Sequence, residues 1–171
     1  MIPVLVTPPV LRPVSVAEAR IHCRLDPNDA SEDVLIDGYL LAAIGHLDGW
    51  SGLLGRCIME QTWRVAAPGP GWHVLPMPDV IRAVASYGDG TTEELAVTAT
   101  AAGPAVSLPA AASVAFTCRM SEAGMDRVRV IVLHMIAAWY RFPEGLGVEA
   151  VQEVPLSARE LMAALRWRAP L

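Results

Sequence analysis

One stretch, "GRCIMEQTWRV" at residues 55–65, separates two hydrophobic patterns that cannot belong to the same kind of element. Ahead of it Ile36, Leu40, Ala43, Leu47 and Leu54 recur at helical spacing, and Leu35, Tyr39 and Trp50 widen the apolar stripe. Beyond it, residues 61–120 break into short β-prone runs, "QTWRV", "WHVL", "VIRAVASY", "ELAV", "VSL" and "VAFTCRM", separated by Gly, Pro or Asp. Gly88-Asp89-Gly90 makes a good hairpin turn. In the last run Val114, Phe116, Cys118 and Met120 alternate with Ala115, Thr117 and Arg119, the pattern of a half-buried strand with Cys118 facing the core.

Capping signals bound the helices. Ser15-Val16-Ala17-Glu18 is a capping box, in which serine and glutamate satisfy each other's backbone N–H groups, and it predicts a helix over 15–25. Ser31, followed by Glu32 and Asp33 at the positive end of the helix dipole, opens a second helix over 31–53. A third, over 124–142, carries Val128, Ile131, Met135 and Trp139 on one stripe and Val130, Leu133, Ile136 and Ala137 on the others. A helix apolar nearly all round is deep in a core or shared with another subunit, so those last four are the candidate subunit-interface residues. Pro143 stops it, residues 144–156 read as a linker, and Ser157-Ala158-Arg159-Glu160 is a second capping box opening a C-terminal helix over 157–171, with Leu156 and Leu161 as its staple. The opening "MIPVLVTPPVLRP" has four prolines and no basic region, so residues 1–13 are expected to form an extended arm rather than a signal peptide or a helix. The resulting expectation is an α+β chain: a bundle of about three helices, a small antiparallel sheet inserted at 61–120 of a domain over 14–143, and a C-terminal helix.

Composition narrows the function. A chain that is 53% hydrophobic and 18% charged carries more apolar surface than a wetted monomer needs, which points to burial against other chains. A formal charge of -5 argues against affinity for nucleic acid through phosphate neutralisation. Cys23, Cys57 and Cys118 show no close pairing, so neither a disulfide framework nor a zinc site is suggested, and a reducing, cytosolic setting fits. The longest apolar run, Val130 to Tyr140, is too short to cross a bilayer.

Signs of chemistry are few. Gly49-Trp50-Ser51-Gly52 brushes against the serine-hydrolase elbow, but the motif's final position is Leu53 and the order is helix then strand, the reverse of what lifts the hydroxyl out of a sheet. Cys57 follows a cation, Arg56, yet no base is placed beside it or Ser51, so a small Ser/Cys hydrolase is the remote alternative. His22, His46, His73 and His134 fall on different elements without ligand spacing, and no cofactor motif occurs; no catalytic, cofactor-binding or metal residue is assigned. Trp167 stands in a terminal helix with Leu161, Met162 and Leu165 apolar and Arg159, Arg166 and Arg168 basic, which either folds back on its own domain or docks into a partner groove.

Taken together, "PVSVAEARIHCRLDPNDASEDVLIDGYLLAAIGHLDGWSGLLGRCIMEQTWRV", the proline-flanked "VLPMPDVIRAVASYGDG", the strand "VAFTCRM" and the helix "IVLHMIAAWYRFPEG" resemble, in order and spacing, the head-tail connector (adaptor) family of long-tailed bacteriophages and gene transfer agents. The likeness covers about residues 13 to 145. It departs at "CRMSEAGM", where relatives often have a glycine-rich turn and a proline, and at "TATAAGPAVSLPAAAS". In this resemblance Gly49, Gly52 and Gly55 end the long helix and turn the chain into a Gln61-Thr62-Trp63 strand. The resemblance implies a non-enzymatic subunit of a dodecameric ring between the portal of a filled head and the stopper or tail, with double-stranded DNA passing through the lumen without tight binding. It also implies residence in the bacterial cytoplasm during assembly and then in the particle neck, and is compatible with a monomer in isolation. The C-terminal segment would reach the portal, which makes Leu161, Met162, Leu165, Arg166, Trp167 and Arg168 the portal-interface candidates. A tail terminator or stopper ring is the nearest alternative.

Overall fold

The computed structural model describes residues 2–26, 29–142 and 156–167. Four helices and eight strands lie among them: β1 Val4–Thr7, α1 Val16–His22, α2 Asp33–Leu47, β2 Gln61–Ala67, β3 Gly71–Val74, β4 Val80–Tyr87, β5 Thr92–Leu95, β6 Thr98–Thr100, β7 Gly103–Leu108, β8 Ala112–Cys118, α3 Glu122–Arg141 and α4 Leu156–Leu165. The strands make two antiparallel sheets, one ordered β1-β2-β8-β4-β5 and the other β3-β7-β6.

This corrects the expected fold class. The molecule is a β-rich α+β structure rather than a helical bundle carrying a small insert. The physical reason lies in the alternation of each short run. β2 buries Gln61, Trp63, Val65 and Ala67, and β8 buries Val114, Phe116 and Cys118; β4 adds Ala83 and Ala85, and β7 adds Val106 and Leu108. Summed over both sheets, these inward faces close a second hydrophobic core with Leu75, Met77 and Leu95, separate from the helical one. Register supports the packing, since Phe116 of the central strand stands between Trp63 on one side and Ala83 on the other, where the small alanine leaves room for the ring.

Within the expected extended arm, residues 4–7 form a strand. They pair with β2 at the sheet edge, Val4 opposite Arg64 and Leu5 opposite Trp63. Pro3 and Pro8 flank the strand without interrupting it, the positions that an edge strand tolerates.

The first core is built by the helices. Ile36, Leu40, Ala43 and Leu47 of α2 meet Val128, Ile131, Val132, Met135 and Ile136 of α3, with Ala19 of α1 and Ala158 and Leu165 of α4 closing the cluster. Ser15 caps α1 in a complete capping box, its Oγ accepting from Glu18 N–H while the Glu18 carboxylate accepts from Ser15 N–H. The second helix is shorter than expected at both ends. Its N-cap is Glu32 rather than Ser31, whose N–H is taken by the Asp29 carboxylate at 2.9 Å. It stops at Asp48, where extended backbone ends the helical run and the N–H groups of Leu53 and Leu54 turn back to the carbonyls of His46 and Leu47. Leu54 thus enters the core from the corner, not from the helix. Gly52 is obligatory in that turn, because a Cβ there would stand 2.2 Å from the Asp48 carbonyl oxygen.

Candidate assembly interface

The glycine corner is pinned by one carboxylate. Asp48 accepts from Ile58 N–H at 2.7 Å and from Gln61 Nε2 at 2.6 Å, and Gln61 Oε1 in turn accepts from Trp63 Nε1 at 3.2 Å. Burial raises the Asp48 pKa above its ordinary value, and these hydrogen bonds partly counter the rise. Arg56, on the corner's far side, donates through Nε to Asp79 at 3.0 Å and through Nη1 to the Leu165 carbonyl at 2.9 Å.

That second bond makes the corner the seat of the C-terminal helix. Trp167 N–H donates to the Leu54 carbonyl at 2.8 Å, and the Trp167 ring lies against Gly103 at the start of β7, where a Cβ would come within 3.1 Å of it. The position requires glycine for this approach and for its φ of 124°. Trp167 Nε1 is buried and finds no hydrogen-bond partner among the described residues. Of the sequence-derived candidates on this helix, Leu165 is buried against the chain's own core, Leu161, Met162 and Trp167 are half-buried, Arg166 is exposed, and Arg168 lies outside the described residues. The linker at 144–156 falls almost wholly outside them too, as does the side chain of the expected cap Ser157; the helix itself starts at Leu156.

On α3, Val130 is exposed, Leu133 and Ala137 are half-buried, and Ile136 is fully buried in the helical core. Sequence reasoning missed larger apolar exposures on α2 and β4, and β3 carries another. Val34 is 87% exposed and Leu41 50% on α2, Trp72 63% on β3 and Ile81 56% on β4. Leu35 and Trp50, expected to widen a buried stripe, are exposed as well. Spacing alone places a residue on a helix face without saying whether the chain's own neighbours cover that face.

The hydrolase alternative gains no geometry from the fold. Cys57 is fully buried, with Sγ 2.8 Å from Cys118 Sγ and 4.0 Å from Met77 Sδ, so its neighbours are sulfur atoms rather than a base. Ser51 is exposed within the corner. Among the described residues no group of His, Cys, Asp and Glu could hold a metal ion, and no helix is long and apolar enough to cross a membrane.

No protein-family model and no curated protein matches the chain. Solved structures do. A chain from the neck of an empty gene transfer agent particle, computed with C6 symmetry, matches with a TM-score of 0.68 at 18% identity, covering 100% of this chain and 98% of that one. A chain from the virion of a native gene transfer agent particle matches with a TM-score of 0.64 at 19% identity, and one from the neck of the native particle, computed with C12 symmetry, with 0.59 at 17% identity, both over the same shares. At these identities the likeness establishes a shared fold along the whole chain.

Proposed function

We propose that the chain is a structural, non-enzymatic neck subunit of a tailed phage-like particle: a head-tail connector (adaptor) that assembles as a dodecameric ring between the portal and the stopper or tail. The observation that carries this reading is the full-length likeness to chains of gene transfer agent necks, one of them computed with C12 symmetry. Large apolar side chains left open on α2, β3, β4 and α3 support it, because assembly supplies the burial that the lone chain lacks. The charge of -5 supports a lumen that passes duplex DNA without holding it. In this reading the chain works in the bacterial cytoplasm during assembly and then in the neck.

Lateral contacts would centre on Val130, with Leu133 and Ala137 at its margins and Ile136 supporting them from beneath. The C-terminal helix would face the portal, Arg166 and the half-buried Leu161, Met162 and Trp167 making the contact around the Leu165 anchor, with Arg168 extending it. The domain over 14–143 would form the ring wall and residues 144–156 the tether to that helix.

Co-sedimentation of the purified protein with isolated DNA-filled heads tests this. Because Arg166 is exposed, Arg166→Glu leaves the fold intact and is expected to weaken head binding about tenfold or more; truncation after Glu153 is expected to abolish it. Unchanged binding in both variants would overturn the portal-facing assignment, and binding to tails instead of heads would replace the connector by a tail terminator.

A further inference from the structure

The two buried cysteines occupy a site that the assembly reading does not use. Cys57 and Cys118 are 61 residues apart in sequence, yet their Sγ atoms lie 2.8 Å apart, about 0.8 Å beyond a bonded S–S distance. Both backbones are clamped. Cys118 ends the central strand, paired with Gln61 of β2 on one side and Val80 of β4 on the other. Cys57 is held between Arg56, whose carbonyl accepts from Gly49 N–H at 3.0 Å, and Ile58, whose N–H is bound by Asp48.

We propose that Cys57 and Cys118 form a reversible internal disulfide that ties the glycine corner to the central strand of the five-stranded sheet. The oxidant is a small-molecule disulfide, RSSR. One cysteine, as thiolate, attacks RSSR and expels RS⁻, giving a mixed disulfide; the second thiolate then attacks the protein sulfur of that bond and expels the second RS⁻. One protein S–S bond forms and one RS–SR bond breaks. Two electrons pass to the small disulfide, and the two thiol protons end on the two RSH released. Cys57, in irregular backbone of the corner, is the first to react, and Cys118, between two strands, resolves the intermediate. The thiols are fully buried, and the hydrogen bond to Cys57 together with burial holds the Cys118 thiol above its ordinary pKa, so the exchange waits on a local opening of the corner. The closed loop spans β2 through β8, and the bond fixes the seat of α4 to the sheet. Nothing in this depends on ring assembly, so it stands or falls separately from the connector reading.

The test uses full-length protein purified under reducing conditions and then incubated with oxidised glutathione at neutral pH, with and without urea below the unfolding transition to speed local opening. A Cys23→Ala variant keeps the pair and removes the half-buried third thiol. Expected are a mass loss of about 2 Da, a single Cys57–Cys118 linkage on peptide mapping, and a Tm raised by roughly 8 °C that dithiothreitol reverses. Cys57→Ala and Cys118→Ala should show neither the mass loss nor the Tm gain. A stable glutathione adduct that never resolves, a linkage through Cys23 in the wild type, or no crosslink in either urea condition would overturn the proposal.

Discussion

Asp48 ties the end of a helix to the start of a strand. It ends α2 as its C-cap, and its carboxylate fixes Ile58 and Gln61 beyond the corner, so one residue helps to hold the helical core against the sheet core. Replacing it by alanine strands a buried N–H and a buried amide, and Asp48→Ala is expected to cost about 2–4 kcal/mol in urea unfolding. Asp48→Asn should cost less but not nothing. It keeps an acceptor for Ile58 but turns an NH₂ toward Gln61 Nε2, whose amide cannot flip freely while its oxygen holds Trp63. This residue was invisible in the sequence, because an Asp before Gly-Trp-Ser-Gly reads equally well as a loop residue. The turn made by Gly49, Gly52 and Gly55 was legible through the resemblance to the connector family, since periodicity alone carried the helix on to residue 53. The Cys57–Cys118 pair was illegible for another reason: their proximity is set by the register of β2, β4 and β8, which spacing does not reveal.

Among elements, the helices and most strands were readable because each obeys its own period, and caps such as Ser15 mark their starts. What the runs did not reveal was that they belong to two sheets. The chain leaves the larger sheet for β3, returns for β4 and β5, leaves again for β6 and β7, and comes back to its centre with β8, so neighbours in space are remote in sequence. The contact between α1 and α3 carries a pH dependence. His22 and His134 lie with ring centroids 5.8 Å apart, and desolvation, followed by repulsion from His134, lowers the His22 pKa below its ordinary 6.5. The unfolded chain therefore binds the His22 proton at a higher pH than the folded one. The stability associated with neutral His22 is fully present above pH 6.5 and is lost as pH falls through the lowered value. Thermal melts at pH 7.5 and 5.5 are expected to show a smaller Tm loss for His22→Gln than for the wild type. An equal loss in both proteins would remove His22 as the cause.

At the scale of the whole molecule, two closed cores coexist with an outside that stays apolar at Val34, Leu41, Trp72, Ile81 and Val130. Burial within the chain is complete enough for it to fold, so these side chains are available to other chains. The high hydrophobic content of the sequence announced such surfaces without locating them. The helix α3, apolar on several sides, buries Val128, Ile131, Val132, Met135 and Ile136 in the helical core and leaves Val130 open, while more of the exposed apolar surface lies on other elements. In the proposed role the chain completes a particle neck. Electron microscopy of particles from a strain lacking this gene, with purified protein added back, tests it most directly. DNA-filled or leaking heads without tails, restored to tailed particles by the protein, are the expected outcome; normal tailed particles in its absence would rule the proposed role out.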